Sequence, residues 1–298
     1  MMTSDFDVAI VGAGPAGLQA AIHAARKKVK VCVLGRAGNS ALGRADIENY
    51  FGVRSMKGAE MLQISADAAR EFGAQLLEED LLTIEMQDGG FRLKTESLKE
   101  LNAKALVLAP GISRKKLNVE GEKEFHGLGV SYCATCDCNF FKKKTVAVLG
   151  DASMAASAAL LLREYASKVY WVAREFKASP ELTAKVKGTD IEMVQAWPTR
   201  IHGDQVVRGM TLDNGRDLVL DGVFIEMGAK GVADLAMEVN IFPDENGYIA
   251  VDRHCATETP GVFACGDVTG LPWQLAKAVG EGCVAGLSAA AFVRKEKE

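Results

Sequence analysis

Short apolar runs alternate with small-residue helical stretches along this chain, and the alternation restarts halfway. Residues 5–11 read as a strand, followed by a helix to about Lys27 and a second strand over 29–34. Residues 38–53, rich in Gly, Asn, Ser and Asp, read as a loop of functional length. Apolar Met61, Leu62, Ile64 and Ala68 recur at helical spacing and predict an amphipathic helix over 57–72. Strands follow at 74–78, 81–85 and 91–95, with Asp88-Gly89-Gly90 turning the last two into a hairpin. A buried strand over 105–111 stops at Pro110-Gly111, and residues 112–117 look like a crossing between domains. The pattern then repeats: strand 145–149, turn 150–155, helix 156–165, strand 168–172. A hairpin over 205–219 turns at Asp213-Asn214-Gly215, strands follow at 248–251 and 261–268, and a small-residue helix covers 280–293. Two βαβ openings in one chain predict an α/β protein with two nucleotide-binding-type folds.

Composition adds boundaries to this picture. A chain of 298 residues suits two domains, and 30 glycines suit many tight strand-to-helix turns. A net charge of −4 argues against a dedicated nucleic-acid binder. No apolar run reaches the ~18 residues of a membrane span, and no charged-then-apolar leader opens the chain. Seven cysteines without such a leader read as a cytoplasmic, mostly reduced protein.

Candidate chemistry lies in two places. The first strand runs into Gly12-Ala13-Gly14-Pro15-Ala16-Gly17, a GxGxxG in the strand–turn–helix context that makes it a dinucleotide fingerprint. Gly12 permits the turn, Gly14 lets a pyrophosphate approach the backbone, and Gly17 lets helix and strand pack. The acidic ribose ligand expected after the second strand is replaced by Gly35-Arg36, and Arg36 could contact a phosphate or adenine instead. The second place is Cys133-Ala134-Thr135-Cys136-Asp137-Cys138. Two thiols at this spacing hold and hand on two electrons, and Asp137 is placed to move a proton. Half a zinc site is the rival reading. It wants a second ligand pair, and Cys32, Cys255, Cys265 and Cys283 are scattered singly, so no metal is expected.

Taken together these segments resemble the low-molecular-weight thioredoxin reductase family of flavoproteins. The resemblance is carried by Gly12–Gly17 of the opening turn, Ile47-Glu48-Asn49-Tyr50, Val119-Glu120-Gly121-Glu122, Gly129 through Asp137, and Thr259 through Val268. It implies two Rossmann-like three-layer nucleotide-binding domains, the second inserted into the first. The FAD domain would be 1–115 plus 242–298, and the dithiol domain 116–241. It implies FAD held by Gly12, Gly14, Pro15, Ala16 and Gly17, with Asn49 and Gln274 near the ring system and Gly266-Asp267 at the sugar-alcohol chain. Cys136 would face the flavin and Cys133 attack thioredoxin, with Asp137 as the acid–base group, in a homodimer.

The chain also departs from that pattern. Its second turn reads Gly150-Asp151-Ala152-Ser153-Met154-Ala155, where Ala152 stands in for the glycine that admits a pyrophosphate and Asp151 adds negative charge. The family's basic run for a 2′-phosphate is reduced to Arg174 and Lys177, and Trp273 and Leu275 flank Gln274 in place of arginine and alanine. Trp273 reads equally as an indole near the flavin or a core aromatic at a helix start. Cys138 reads as a packed small residue. Losses gathered on the nicotinamide side resemble the subgroup that takes electrons from reduced ferredoxin, whose acidic surface Lys142-Lys143-Lys144 and Arg114-Lys115-Lys116 could steer. The alternatives are an NADPH- or NADH-dependent enzyme and a flavin-bound redox sensor.

Overall fold

The computed structural model describes residues 5–111, 117–227 and 231–295. These fall into two compact units, one of residues 5–95, 99–111 and 231–295, the other of 96–98 and 117–227.

The first unit opens with β1 (Phe6–Val11), buried at every position, then α1 (Pro15–Arg26) and β2 (Val31–Leu34). Single 3₁₀ turns at Ala37–Asn39 and Ala41–Arg44 lead to β3 (Asp46–Ile47) and β4 (Met56–Lys57), an antiparallel pair. The expected 38–53 loop is therefore partly ordered. Next come α2 (Gly58–Glu71), β5 (Gln75–Leu77), β6 (Leu81–Gln87), β7 (Gly90–Thr95) and β8 (Glu100–Leu108). Strand β8 starts five residues before its predicted place because its polar first half pairs with β7, while its apolar second half runs parallel to β1.

The second unit holds β9 (Val130–Ser131), α3 (Ala134–Asp137), β10 (Thr145–Leu149), α4 (Ser153–Arg163), β11 (Lys168–Ala173), α5 (Pro180–Lys187) and β12 (Glu192–Gln195). It continues through β13 (Pro198–Gly203), β14 (Val207–Leu212), β15 (Asp217–Val219) and β16 (Gly222–Ile225). Its main sheet is parallel in the order β12-β11-β10-β16-β9, and β13-β14-β15 form a separate antiparallel sheet. Helix α4 starts three residues before its predicted place.

The chain re-enters the first unit with α6 (Val232–Met237), β17 (Val262–Ala264) and α7 (Leu275–Lys295). The first sheet is then β5-β2-β1-β8 with β17 beside β8, all parallel, and the β6–β7 hairpin is added antiparallel. Strands covered on both faces explain the unbroken apolar runs. Alanines of α1 and α7 pack on one face, and Leu235, Ala236, Val239 and Ile241 pack on the other. That packing corrects the expected domain limit at 241: residues 231–241 are core of the first unit. The other limit, at 115, and the 112–116 crossing with Arg114-Lys115-Lys116 lie outside the described residues.

Two further expectations change. Residues 248–251 are not a strand, since Asp244 Oδ1 accepts from Asn246 N and Tyr248 N and locks the approach as a turn. Strand β17 ends at Ala264 because Gly266 takes φ +86° and starts a 3₁₀ turn, Asp267–Thr269. Helix α7 is long and apolar enough to cross a membrane, but Ala278, Gly282, Ala285, Gly286, Ala289, Ala290 and Val293 are buried within its unit, as in a core helix.

Candidate active site

Cys133 and Cys136 form a disulfide, with Cα atoms 5.4 Å apart. Cys133 is the N-cap of α3, and its sulfur accepts the Cys136 N–H at 3.1 Å. A donor in that position stabilises negative charge on the capping sulfur once the bond opens. Cys133 is half-buried and Cys136 exposed. Ser131, at the end of β9, braces the turn: its Oγ accepts Cys133 N–H at 3.0 Å and donates to Asp137 Oδ2 at 2.7 Å. A buried carboxylate from the end of β16, Glu226, accepts Ala134 N–H at 2.9 Å.

The other thiols are of a different kind. Burial pushes Cys32 up to about 12 and Cys255 up to about 11, and raises Cys265 as well. Cys138 is buried, its Sγ directed at Thr135 O at 3.7 Å, a packed small residue as expected. His202 pairs with Asp217 at 2.9 Å on an exposed surface.

In the first unit, Gly12 has φ +114°, and a Cβ there would lie 2.1 Å from Ala109 O, so the turn after β1 requires glycine. Gly14 differs. Its φ −83° and ψ −175° suit any residue, and a Cβ would meet only Ser40 Oγ at 3.5 Å. The backbone does not need glycine there. Pro15 opens α1, no side chain caps it among the described residues, and its first turn carries no acidic residue. Ala16 and Gly17 lie in this first turn, at the positive helix end, where backbone N–H groups suit a phosphate.

The remaining expected residues of this unit are placed as follows. Asn49 Nδ2 donates to Gln274 Oε1 at 3.2 Å, across 225 positions of sequence. Asp267 is half-buried, and burial pushes its carboxyl up. Its turn is tied by Glu281, which accepts from Gly266 N at 2.8 Å and Thr269 Oγ1 at 2.7 Å, and by Lys277 Nζ, which donates to Gly266 O at 2.9 Å. Trp273 is 50% exposed and not a core aromatic; Leu275 begins α7. Arg36 pairs with Asp80 at 2.9 Å.

The second unit's corresponding turn is built alike and filled differently. Gly150 takes φ +152° with Glu226 O 2.1 Å from its would-be Cβ. Ala152 caps α4 at φ −97° and ψ 177°, nearly the Gly14 conformation, but with a methyl group. Behind it Ser153 is buried and donates to the carboxylate of Glu96, itself 6% exposed. Ser179 closes the cluster, with N–H to Ser153 Oγ at 3.0 Å and Oγ to Glu96 O at 2.7 Å. Lys177 pairs with Glu175 at 2.9 Å and Asp151 at 3.7 Å, and Arg174 lies over the Trp197 ring at 5.3 Å. Glu96, Ser153, Ser131 and Glu226 were not singled out by sequence; Glu96 and Glu226 gave no signal there, being 57 and 92 residues from their partners.

Two Rossmann-like units, one with an open glycine turn and one with a helix-capping dithiol, define a disulfide oxidoreductase of the flavoprotein class. Residues 6–282 match the family described as pyridine nucleotide-disulphide oxidoreductase. A thioredoxin reductase of Aquifex aeolicus is 36% identical over 98% of this chain and 95% of its own. Among solved structures, the atypical thioredoxin reductase TRi of Desulfovibrio vulgaris Hildenborough superposes with TM-score 0.87 at 33% identity, covering 98% of this chain and 99% of that one. A ferredoxin-flavin thioredoxin reductase of Clostridium acetobutylicum gives TM-score 0.70 at 34% identity over 98% and 99%. The chain belongs to the pyridine nucleotide-disulphide oxidoreductase family and, within it, to the low-molecular-weight thioredoxin reductases. The family is FAD-dependent, and the space kept clear beside Gly14 fits that group.

Proposed function

We infer that this chain is a thioredoxin reductase that draws electrons from reduced ferredoxin rather than from NADPH or NADH, as a cytoplasmic homodimer. One observation carries the choice of donor: a buried carboxylate, Glu96, accepts from Ser153 at the start of α4, whereas a Cβ at Gly14, at the start of α1, would meet only Ser40 Oγ. A pyrophosphate entering the second turn would meet a buried carboxylate and the Ala152 methyl. The Clostridium acetobutylicum relative lends the donor its class. Lys142 and Lys143, both exposed, supply a cationic surface for an acidic protein.

Gly12, Gly14, Pro15, Ala16 and Gly17 hold the pyrophosphate of FAD, Arg36 lies on its adenosine side, and Gly266-Asp267 takes the sugar-alcohol chain. Asn49, Trp273, Gln274 and Leu275 frame the ring. Bound there, FAD supplies a centre that collects electrons singly and delivers them as a pair. Two electrons and two protons open Cys133–Cys136. The Cys133 thiolate, held by the Cys136 N–H, attacks the thioredoxin disulfide, forming a mixed disulfide and releasing one partner thiol. Asp137, oriented by Ser131, passes the proton to that leaving sulfur. Cys136 then attacks Cys133 Sγ, restoring the disulfide and freeing dithiol thioredoxin. Phe140, 72% exposed and close behind the dithiol in sequence, offers the partner an apolar contact.

The test is anaerobic. Flavin-loaded protein is mixed with chemically reduced ferredoxin, NADPH or NADH, and flavin bleaching is followed. Ferredoxin bleaches it within the mixing time and the nucleotides do not; rapid bleaching by NADPH would remove the donor assignment. Absence of multiple turnover on thioredoxin with every donor would make the protein a sensor instead. Cys133→Ser abolishes turnover.

A further inference from the structure

The geometry points to a role for Glu226 that rests on the dithiol reading above. We propose that Glu226 is a positioning residue that sets the reduction potential of Cys133–Cys136 by holding its carboxylate against the first turn of α3.

The residue is poorly suited to its place unless it does something there. It follows the apolar strand β16, in a buried sheet, and is 6% exposed. Burying a carboxylate costs several kcal/mol in general, and an apolar residue would extend the strand without that cost. Its backbone is fixed from both sides: Glu226 N–H donates to Leu149 O at 2.8 Å, and Glu226 O abuts Gly150. Its Oε1 accepts the Ala134 N–H at 2.9 Å. Ala134 follows Cys133 directly, so a negative charge sits one peptide unit from the thiol that attacks the partner.

Three consecutive devices at this turn divide the work. Ser131 Oγ takes the Cys133 N–H, Glu226 takes the Ala134 N–H, and Cys133 Sγ keeps only the Cys136 N–H of those described. Donors at a helix start favour a thiolate, and a nearby anion disfavours one. Glu226 does both against the thiolate: it occupies a donor and adds charge. Asp137, the acidic residue of α3 itself, is bonded to Ser131. A dithiol whose reduced form is less stabilised is the stronger reductant, which suits a protein that must push electrons onto another disulfide.

The reaction measured is the exchange of Cys133–Cys136 with dithiothreitol. Two thiols of dithiothreitol are oxidised to its cyclic disulfide, and their two electrons and two protons reduce the protein's disulfide. Holoprotein is equilibrated in graded dithiothreitol redox buffers at neutral pH, alkylated, and the Cys133/Cys136 pair quantified by mass spectrometry. Glu226→Gln, which keeps an acceptor for Ala134 and removes the charge, is expected to favour the reduced form about tenfold, or about 30 mV for a two-electron couple. Glu226→Ala removes both and shifts at least as far. No shift in either variant overturns the proposal, and a shift in Glu226→Ala alone overturns its electrostatic half. Should Glu226→Gln fold poorly by flavin circular dichroism, Glu226→Ala and Glu226→Met test whether the residue sets the potential at all, and no shift in either overturns the proposal. A wild-type protein that exchanges with dithiothreitol but does not turn over thioredoxin would sink the proposed function and leave this inference standing.

Discussion

The two strand–turn–helix units of this chain start from nearly the same backbone and end with opposite chemistry. At Gly12 and Gly150 both turns need glycine, because φ is positive and a neighbouring carbonyl leaves no room for a Cβ. Two residues on, Gly14 and Ala152 share one extended conformation, yet the first leaves a space and the second a methyl. No described side chain caps α1 or α4, but Ser153, the first residue of α4, donates to the buried Glu96 carboxylate. On the proposed donor, a dinucleotide fold does not by itself mean a dinucleotide site; what decides is the room left beside the helix start for an outside anion.

The comparison can be broken most directly by exchanging its one-carbon difference. Gly14→Ala puts into the first turn what the second already has. Overpacking of this kind costs about 1–3 kcal/mol, so FAD affinity should fall roughly 10- to 100-fold while the FAD-free fold melts as before. Fluorescence titration of the FAD-free protein measures it. The converse change, Glu96→Ala, leaves the buried Ser153 hydroxyl without this acceptor and should cost about 1–3 kcal/mol of stability. It should also let inorganic pyrophosphate or NADP⁺ bind where the wild type binds neither; if calorimetry shows no gain, the carboxylate is not what excludes them.

A smaller effect concerns pH. Burial raises the Asp267 carboxyl, with Lys277 pulling the other way and Glu281 adding to the rise. The folded FAD-free protein thus holds that proton more tightly than the unfolded chain. Stability falls as pH rises from about 4, the ordinary carboxyl value, through the folded value, and stays lower above it. Asp267→Asn should flatten that fall in urea midpoints between pH 4 and 7, yet weaken FAD binding. Least of all should come from Arg174→Ala with Lys177→Ala, since both side chains are exposed and already engaged within the unit. Ferredoxin-driven turnover should be unchanged; a loss confined to NADPH would show that these cations hold a 2′-phosphate after all.

Legibility followed the range of the interactions. Strands β1, β2, β10 and β11 announced themselves as apolar runs, and the GxGxxG turn and the Cys-X-X-Cys were visible because each acts within six residues. The polar start of β8 was missed, since its pairing with β7 is set by the hairpin and not by its own hydrophobicity. The 248–251 segment misled because a short apolar run was overridden by the Asp244 side chain. Residues 231–241 were assigned to the wrong unit because only packing tells which core Leu235 and Val239 complete.

Local chemistry was thus determined by the sequence: which turns need glycine, which cysteines are paired at exchange distance, where helices start. Tertiary structure alone decided which polar side chains meet those features. It brought Glu96 to Ser153, Glu226 to Ala134 and Asn49 to Gln274, across 57, 92 and 225 residues. A carboxylate carries no mark of where it will be buried, because that depends on which distant backbone N–H or hydroxyl the folded sheets leave beside it.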